Sequence, residues 1–395
     1  MMTYFAALWL AVTAGAQPAA TALPVAHSPQ FENRTLWPDA DKAAYAKETW
    51  EPARLLVWAK PGEGGDPRLP ENWLENGKPA AAPPDEDADI WLPAADTKYT
   101  VAANDPAGAD RKGVHLKLRH VTIGKNAVLG TYEYRLSGNL WLQEGSGIAA
   151  RKPMSILGSK HTFIRSDNRA GTRIAQYITV NKYKDASVEF LGDINSTDEL
   201  RVNAGTAVVG PNSRLSAGRP SEQTIGPEGT LQLLSGAFFG KHTNLINNAD
   251  DIVVHGRLLA GSPERPLTKD AVLGVSFKDV DPGQPRGGLR VQPGGRLRIS
   301  SQDPQTARLV IRWHGNEGTR GDRRSGETTP LFGVDFLGDV QIDGIEFDNV
   351  SKGGIRLPDP AARTAWKHVF YGEKNEGRPD ELYGRCEESK RRGKR

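Results

Sequence analysis

The amino-acid sequence predicts an all-β fold: short parallel strands wound into a coil, a parallel β-helix closed at its N-terminal end by a short helical cap. Three observations carry this expectation. Apolar residues recur with a period of two and are broken by Gly, Pro and Ser corners, the pattern of short strands with one buried face. Similar positions return at roughly twenty to twenty-five residues, the length of one coil turn. Residues 113–357 hold no amphipathic helical pattern to connect parallel strands, so the corners themselves must turn the chain onto its next face.

Residues 251–278 show the unit most clearly. Ile252 and Val254 alternate with Val253 before the His255-Gly256 corner, and Leu258 and Ala260 alternate with Arg257 and Leu259 before Gly261-Ser262-Pro263. Ala271, Leu273, Val275 and Phe277 then share one side. Composition agrees. With 43 Gly, 27 Pro and 37% apolar residues, the 395-residue chain suits many tight corners and suits a thick globular core poorly. Lys and Arg outnumber Asp and Glu by only 51 to 48, so no nucleic-acid partner is expected. Cys386 is the single cysteine, which excludes an intramolecular disulfide and a multi-thiolate zinc site.

In chain order, residues 1–16 read as a secretory signal. The apolar stretch 5–12 is too short for a membrane span, and Ala14-Gly15-Ala16 is a small-residue cleavage site before Gln17. Residues 17–58 form a lead-in and helical cap. Asp39 or Asp41 caps a helix favoured by Ala43, Ala44 and Ala46, and it covers the open end of the strand coil. Residues 59–357 are the β-helix. They begin with a Gly/Pro loop around Trp73, and the repeats become plain from Gly113, where Leu116 and Leu118 alternate with Lys117 and Arg119. Residues 358–395 lose the alternation. A short helix at 361–371 is expected to close the far end before a basic tail. No stretch after the signal approaches the ~20 apolar residues of a spanning helix.

The run GRLLAGSPERPLTKDAVLGVSF, residues 256–277, resembles the G8-type β-helix segment of the cell-surface hyaluronidase family. The matching elements are Gly256, Leu258-Leu259, Ala260-Gly261, Pro266 and the strand 271–275. Asn72-Trp73, Gly77, Pro79, Pro84, Asp87 and residues 90–93 are similar to that family's entry into its first strand, although the insert between the two parts is long. The run VQIDGIEFDNVSKGGI is similar to a turn of pectate-lyase-like β-helices. The resemblance implies a single-stranded right-handed parallel β-helix, an extracellular setting and a glycan partner. It transfers no catalytic residue to this chain.

Candidate chemistry gathers near the end of the coil. With Ile342, Ile345 and Phe347 on the buried side, Asp343, Glu346 and Asp348 take outward positions. Such carboxylates can serve as acid and base in glycoside hydrolysis, hold calcium, or simply form a solvated face. Arg290, Arg298, Arg308 and Arg312 also alternate with apolar residues. Stacked by successive turns, they would form a ladder that recognises carboxylates or sulfates on an acidic polysaccharide. Trp313 offers a face for a sugar and His314 a proton carrier, with a core role as the alternative for Trp313. For a lyase, Arg312, His314 and Lys278 supply the cation and base. Asp85, Asp87 and Asp89 form an acidic loop, a calcium candidate without the spacing of an EF-hand, for which a solvated turn is the alternative.

These readings converge on a secreted, periplasmic or cell-envelope protein, expected to be monomeric. It binds an acidic polysaccharide and, if an enzyme, processes it as a lyase or hydrolase near Arg312, His314 and the carboxylates Asp343, Glu346 and Asp348. No cofactor is required, and calcium is an optional ligand. The competing expectation is a non-catalytic envelope scaffold or adhesion module.

Overall fold

The computed structural model describes residues 54–102, 115–130, 133–149, 153–169, 171–183, 185–196, 198–216, 223–240, 251–276, 288–303 and 306–314, and five short strands between 333 and 371. The expected signal segment and most of the lead-in therefore lie outside the described residues. Among the described residues there is no α-helix. Apart from a 3-10 turn at Pro70–Asn72, the regular structure is strand.

The chain visits three stacks of strands in rotation. Sheet I contains His115–Leu118, Glu133–Leu136, Met154–Gly158 and Ile178–Lys182. It continues with Asp251–Val254, Gly288–Val291, Gly333–Phe336 and Gly354–Arg356. Sheet II begins with Arg54–Trp58 and Ala88–Leu92 and passes through Val121–Ile123, Leu140–Leu142, Thr162–Ser166 and Ser187–Leu191. It ends with Arg257–Ala260, Arg296–Ile299 and Asp339–Val340. Two long strands, Leu200–Val209 and Gln223–Leu233, run through both stacks and join them. Sheet III has an upper part, Tyr99–Ala102, Ala127–Gly130 and Gly147–Ile148. Its lower part runs from Thr172–Ala175 to Phe370–Tyr371.

Stacking is parallel and in phase with the pleat, so each inward file repeats one property. On sheet II, Leu56, Ile90, Val121, Leu140, Ile164, Phe190, Val209, Leu233, Ala260 and Ile299 follow one another rung by rung. All are buried, and full burial of such a side chain contributes about 1.5–3 kcal/mol. A polar residue that enters an inward file can be held there by the backbone. Gln223 falls between Leu200 and Ile252 on sheet I, and its Oε1 accepts the Leu200 N–H at 2.6 Å. Gly192 is required at its corner: its φ is +85°, and an added Cβ would meet the Ser166 carbonyl oxygen at 2.1 Å.

Turn length varies widely. Lys117 pairs with Arg135, 18 residues on (117 to 135), Ser155 with Thr179, 24 on (155 to 179), and Arg290 with Asp335, 45 on (290 to 335). The turns near the middle match the expected period, whereas the first, Leu56 to Ile90 (34 on), and the turn from Arg290 exceed it.

Neither expected end helix appears among the described residues. The N-terminal cap expected over residues 39–52 lies outside them, and the end of the proposed lead-in, Arg54–Trp58, is a strand. Its alternation buries Leu56 and Trp58, and Val57 and Trp58 favour an extended backbone. The open edge is covered instead by an antiparallel hairpin, Trp73–Glu75 with Lys78–Pro79, which pairs with residues 56–58. Trp58 and Trp73 meet edge to face at 5.2 Å, and the Trp73 indole donates to the Pro67 carbonyl at 2.9 Å. At the other end, Phe370–Tyr371, expected to finish a helix, form a strand in register with Glu346 and Phe347.

Candidate functional site

Sheet I carries a second file whose rungs are all fixed by pairing. It reads Lys117, Arg135, Ser155, Thr179, Arg201, Thr224, Val253, Arg290, Asp335 and Arg356. These positions alternate with buried ones such as Leu116 and Leu118, Tyr134 and Leu136, and Met154 and Ile156, which places the file on the outer side of the sheet. Five of its ten positions are Lys or Arg and one is Asp, over roughly 40 Å at the spacing of adjacent strands.

The side chains of Lys117, Arg135 and Arg201 are 52%, 55% and 55% exposed. Each has an acidic neighbour: Lys117 Nζ lies 2.9 Å from Glu86, Arg135 Nε 4.0 Å from Glu133, and Arg201 Nη2 2.6 Å from Glu199. The Lys117–Glu86 pair is exposed on both sides; such pairs are worth about 0–1 kcal/mol, so a competing anion displaces it cheaply. The first two rungs open onto a groove of about 410 Å³ lined by Asp85, Glu86, Lys117, Glu133 and Arg135 with Pro84 and Leu116.

The four arginines expected to form a ladder do not lie one above another. Arg290, Arg298 and Arg312 belong to the three successive strands of a single turn, one on each sheet, and Arg308 immediately precedes the third. Only Arg290 falls in the basic file of sheet I. Arg298 follows Leu259 on sheet II. Arg308 is clamped to Asp270, with its backbone N–H and Nε donating to Oδ1 at 2.8 and 3.4 Å and Nη2 to Oδ2 at 3.3 Å.

Register does bring most of the proposed catalytic positions together. Leu309–His314 pairs with Ile345–Asp348, which sets Arg312 beside Asp348 and Val310 beside Glu346. By alternation, Val310, Arg312 and His314 share the face opposite the buried Leu309 and Ile311, and His314 lies beside Ser276 of the preceding turn. Trp313 is the register partner of Val275. Asp343 lies outside the described residues.

The acidic loop is used internally. Asp85 pairs with Arg54 at 3.1 Å and accepts the Asp87 backbone N–H at 3.2 Å. Asp89 is buried and holds Arg119 through both oxygens, at 2.8 and 2.9 Å, while also accepting the His120 N–H at 3.2 Å. Among the described residues no group of three or more His, Cys, Asp or Glu side chains is gathered as a metal site.

Sequence reasoning missed an aromatic file on the outer side of sheet II: Val57, Trp91, Thr122, Trp141, Arg165 and Leu191. The guanidinium of Arg165 lies 5.3 Å over the Trp141 ring. Asp167 ties the two together, accepting the Trp141 indole N–H at 2.6 Å and Arg165 Nε at 2.7 Å. The signal was present in the similar triplets Ile90-Trp91-Leu92 and Leu140-Trp141-Leu142.

Within the core, burial pushes the Tyr134 phenol well above its usual value, and its hydroxyl donates to the Ile174 carbonyl at 2.9 Å. No helix among the described residues is long and apolar enough to cross a membrane. No protein-family model, curated protein or solved structure matches the chain.

Proposed function

We propose that this protein is an exported, monomeric, right-handed parallel β-helix that binds an acidic polysaccharide along the outer side of sheet I. One observation carries the reading: the single file in which Lys117, Arg135, Arg201, Arg290 and Arg356 recur among hydroxylated and apolar residues with one acidic rung, Asp335. A polymer with carboxylate or sulfate groups along its length meets such a file at many points. Each contact is weak, and their sum is cooperative and sensitive to salt.

The test is titration with uronic and sulfated oligosaccharides at low and high ionic strength. The Lys117→Gln/Arg135→Gln double variant is expected to bind about tenfold or more weakly than wild type, with an unchanged thermal melt. Absence of binding to every glycan at low salt overturns the reading in favour of a non-catalytic envelope scaffold.

A second reading, processing of the glycan, has its own support in the neighbouring register positions Arg312 and Asp348, with His314 and Glu346 on the same face. A lyase on uronic acid chains requires a cation against the carboxylate and a base for the adjacent proton. A hydrolase requires two carboxyl groups in acid and base roles. Unsaturated ends after incubation mark the first, and new reducing ends the second. Intact chains after prolonged incubation remove both.

A further inference from the structure

Several arginines on sheets I and II and their corners come with a carboxylate. Arg119 has Asp89, Arg135 has Glu133, Arg165 has Asp167 and Arg201 has Glu199. Arg257 and Arg296 do not. They are direct register partners on adjacent rungs of sheet II, both are exposed, and among the described residues neither side chain makes a hydrogen bond or ion pair. Thr230 holds the rung before them and Asp339 the rung after.

Their apposition is enforced from beneath. Leu258 stacks on Leu297 and Ala260 on Ile299, all of them buried, so a slip in register would expose the core. Two like charges on directly opposed strand positions repel, and among the described side chains no carboxylate is paired with either guanidinium; the nearest acidic rung is Asp339, after Arg296. Their backbones are about 4.8 Å apart, so both long side chains can reach one small anion between them. A carboxylate is planar, and its two oxygens match the fork of one guanidinium. A sulfate or phosphate ester has three terminal oxygens and can accept from two forks at once.

We infer that Arg257 and Arg296 form a two-guanidinium site for a tetrahedral oxyanion, a sulfate or phosphate ester group carried by a ligand. The site lies on sheet II, apart from the basic file of sheet I, and does not depend on that file binding a polymer.

The experiment measures the thermal midpoint of the full chain in sodium sulfate, sodium phosphate and sodium chloride at matched ionic strength. It then titrates a sulfated sugar, a phosphorylated sugar and an unesterified uronic oligosaccharide. Sulfate or phosphate is expected to raise the midpoint beyond chloride. Arg257→Gln and Arg296→Gln are each expected to weaken ester binding by about tenfold, while melting no lower than wild type without ligand because neither loses an internal partner. The Lys117→Gln/Arg135→Gln variant retains the response, which separates failure here from failure on sheet I. Tighter binding of one sugar over the other identifies the ester as sulfate or phosphate. Equal responses to chloride and oxyanion, unchanged ester affinity in both Gln variants, or a uronic oligosaccharide bound as tightly as either ester overturns the inference.

Discussion

The inward and outward files of sheet II share the same rungs and follow opposite rules. Inward, ten successive residues from Leu56 to Ile299 are apolar and at most 5% exposed. Outward, Val57, Trp91, Thr122, Trp141, Arg165 and Leu191 change character at every step. The inward file is a repeated property in which one rung resembles the next. The outward file has meaning only through particular neighbours: Trp141 with Arg165 and Asp167, or Arg257 with Arg296. Stability is therefore spread along the coil, whereas the outward contacts of sheet II are local to a few rungs.

The sharpest way to break that comparison is to cut one rung of the inward file. Phe190 is fully buried between Ile164 and Val209, and Phe190→Ala is expected to cost about 3–5 kcal/mol in urea-induced unfolding. Its outward neighbour Leu191 should tolerate Ala at about 1 kcal/mol or less. Comparable losses at the two positions would mean that the outward wall is as much a packed core as the interior.

Next in size is the ion pair Arg119–Asp89, whose side chains are 12% and 11% exposed. Asp89→Asn leaves a nearly buried guanidinium without its counter-charge, and the expected loss is about 3 kcal/mol. The measurement is again the unfolding free energy. A loss below about 1 kcal/mol would place this pair with the exposed ones and return Asp89 to the solvated loop expected from sequence.

A smaller effect comes from Tyr134. Burial raises its phenol above the ordinary value of 10.0, so above that pH the unfolded chain releases a proton that the folded chain retains. Stability is fully present below about pH 10 and falls by about 1.4 kcal/mol per unit above it until the folded value is reached. Tyr134→Phe sacrifices the hydrogen bond to Ile174, about 1 kcal/mol near neutrality, and should flatten the alkaline decline. Urea titrations at neutral and alkaline pH test the sign. An equally steep decline in the Phe variant assigns it to another group.

The same contrast explains what was legible in the sequence. Alternation within a strand depends only on the pleat, so the buried positions of 251–276 could be read directly: Ile252, Val254, Leu258, Ala260, Ala271 and Leu273 are all in the core. Outward neighbours depend on the length of the intervening turn. That length varies between 18 residues (117 to 135) and 45 (290 to 335), so arginines spaced along one stretch appeared stacked when they occupy one turn. Repeated triplets were the better guide. Gly256-Arg257-Leu258 and Gly295-Arg296-Leu297 align in sequence, and the fold places their arginines on adjacent rungs. The helix expected around alanines 43, 44 and 46 lies outside the described residues, whereas residues 54–58, which follow it, join a sheet edge where Val57 and Trp58 suit an extended backbone.

The smallest expected effect is the most discriminating, because it compares two arginines on the same outer wall. Arg165 is half-buried over Trp141 and paired with Asp167 at 2.7 Å, whereas Arg257 is exposed and has neither. In Arg165→Gln the carboxylate of Asp167 keeps the Trp141 indole N–H, so the expected loss of stability is about 1 kcal/mol or less, with a change in tryptophan fluorescence that reports the altered ring environment. Sulfate should stabilise this variant as it does wild type, since a guanidinium already neutralised by its own strand has little to offer an incoming anion. If Arg165→Gln weakened sulfate binding as much as Arg257→Gln, the anion would be responding to the net charge of the wall. The distinction between an arginine held by its neighbours and one held against its like would then lose its basis.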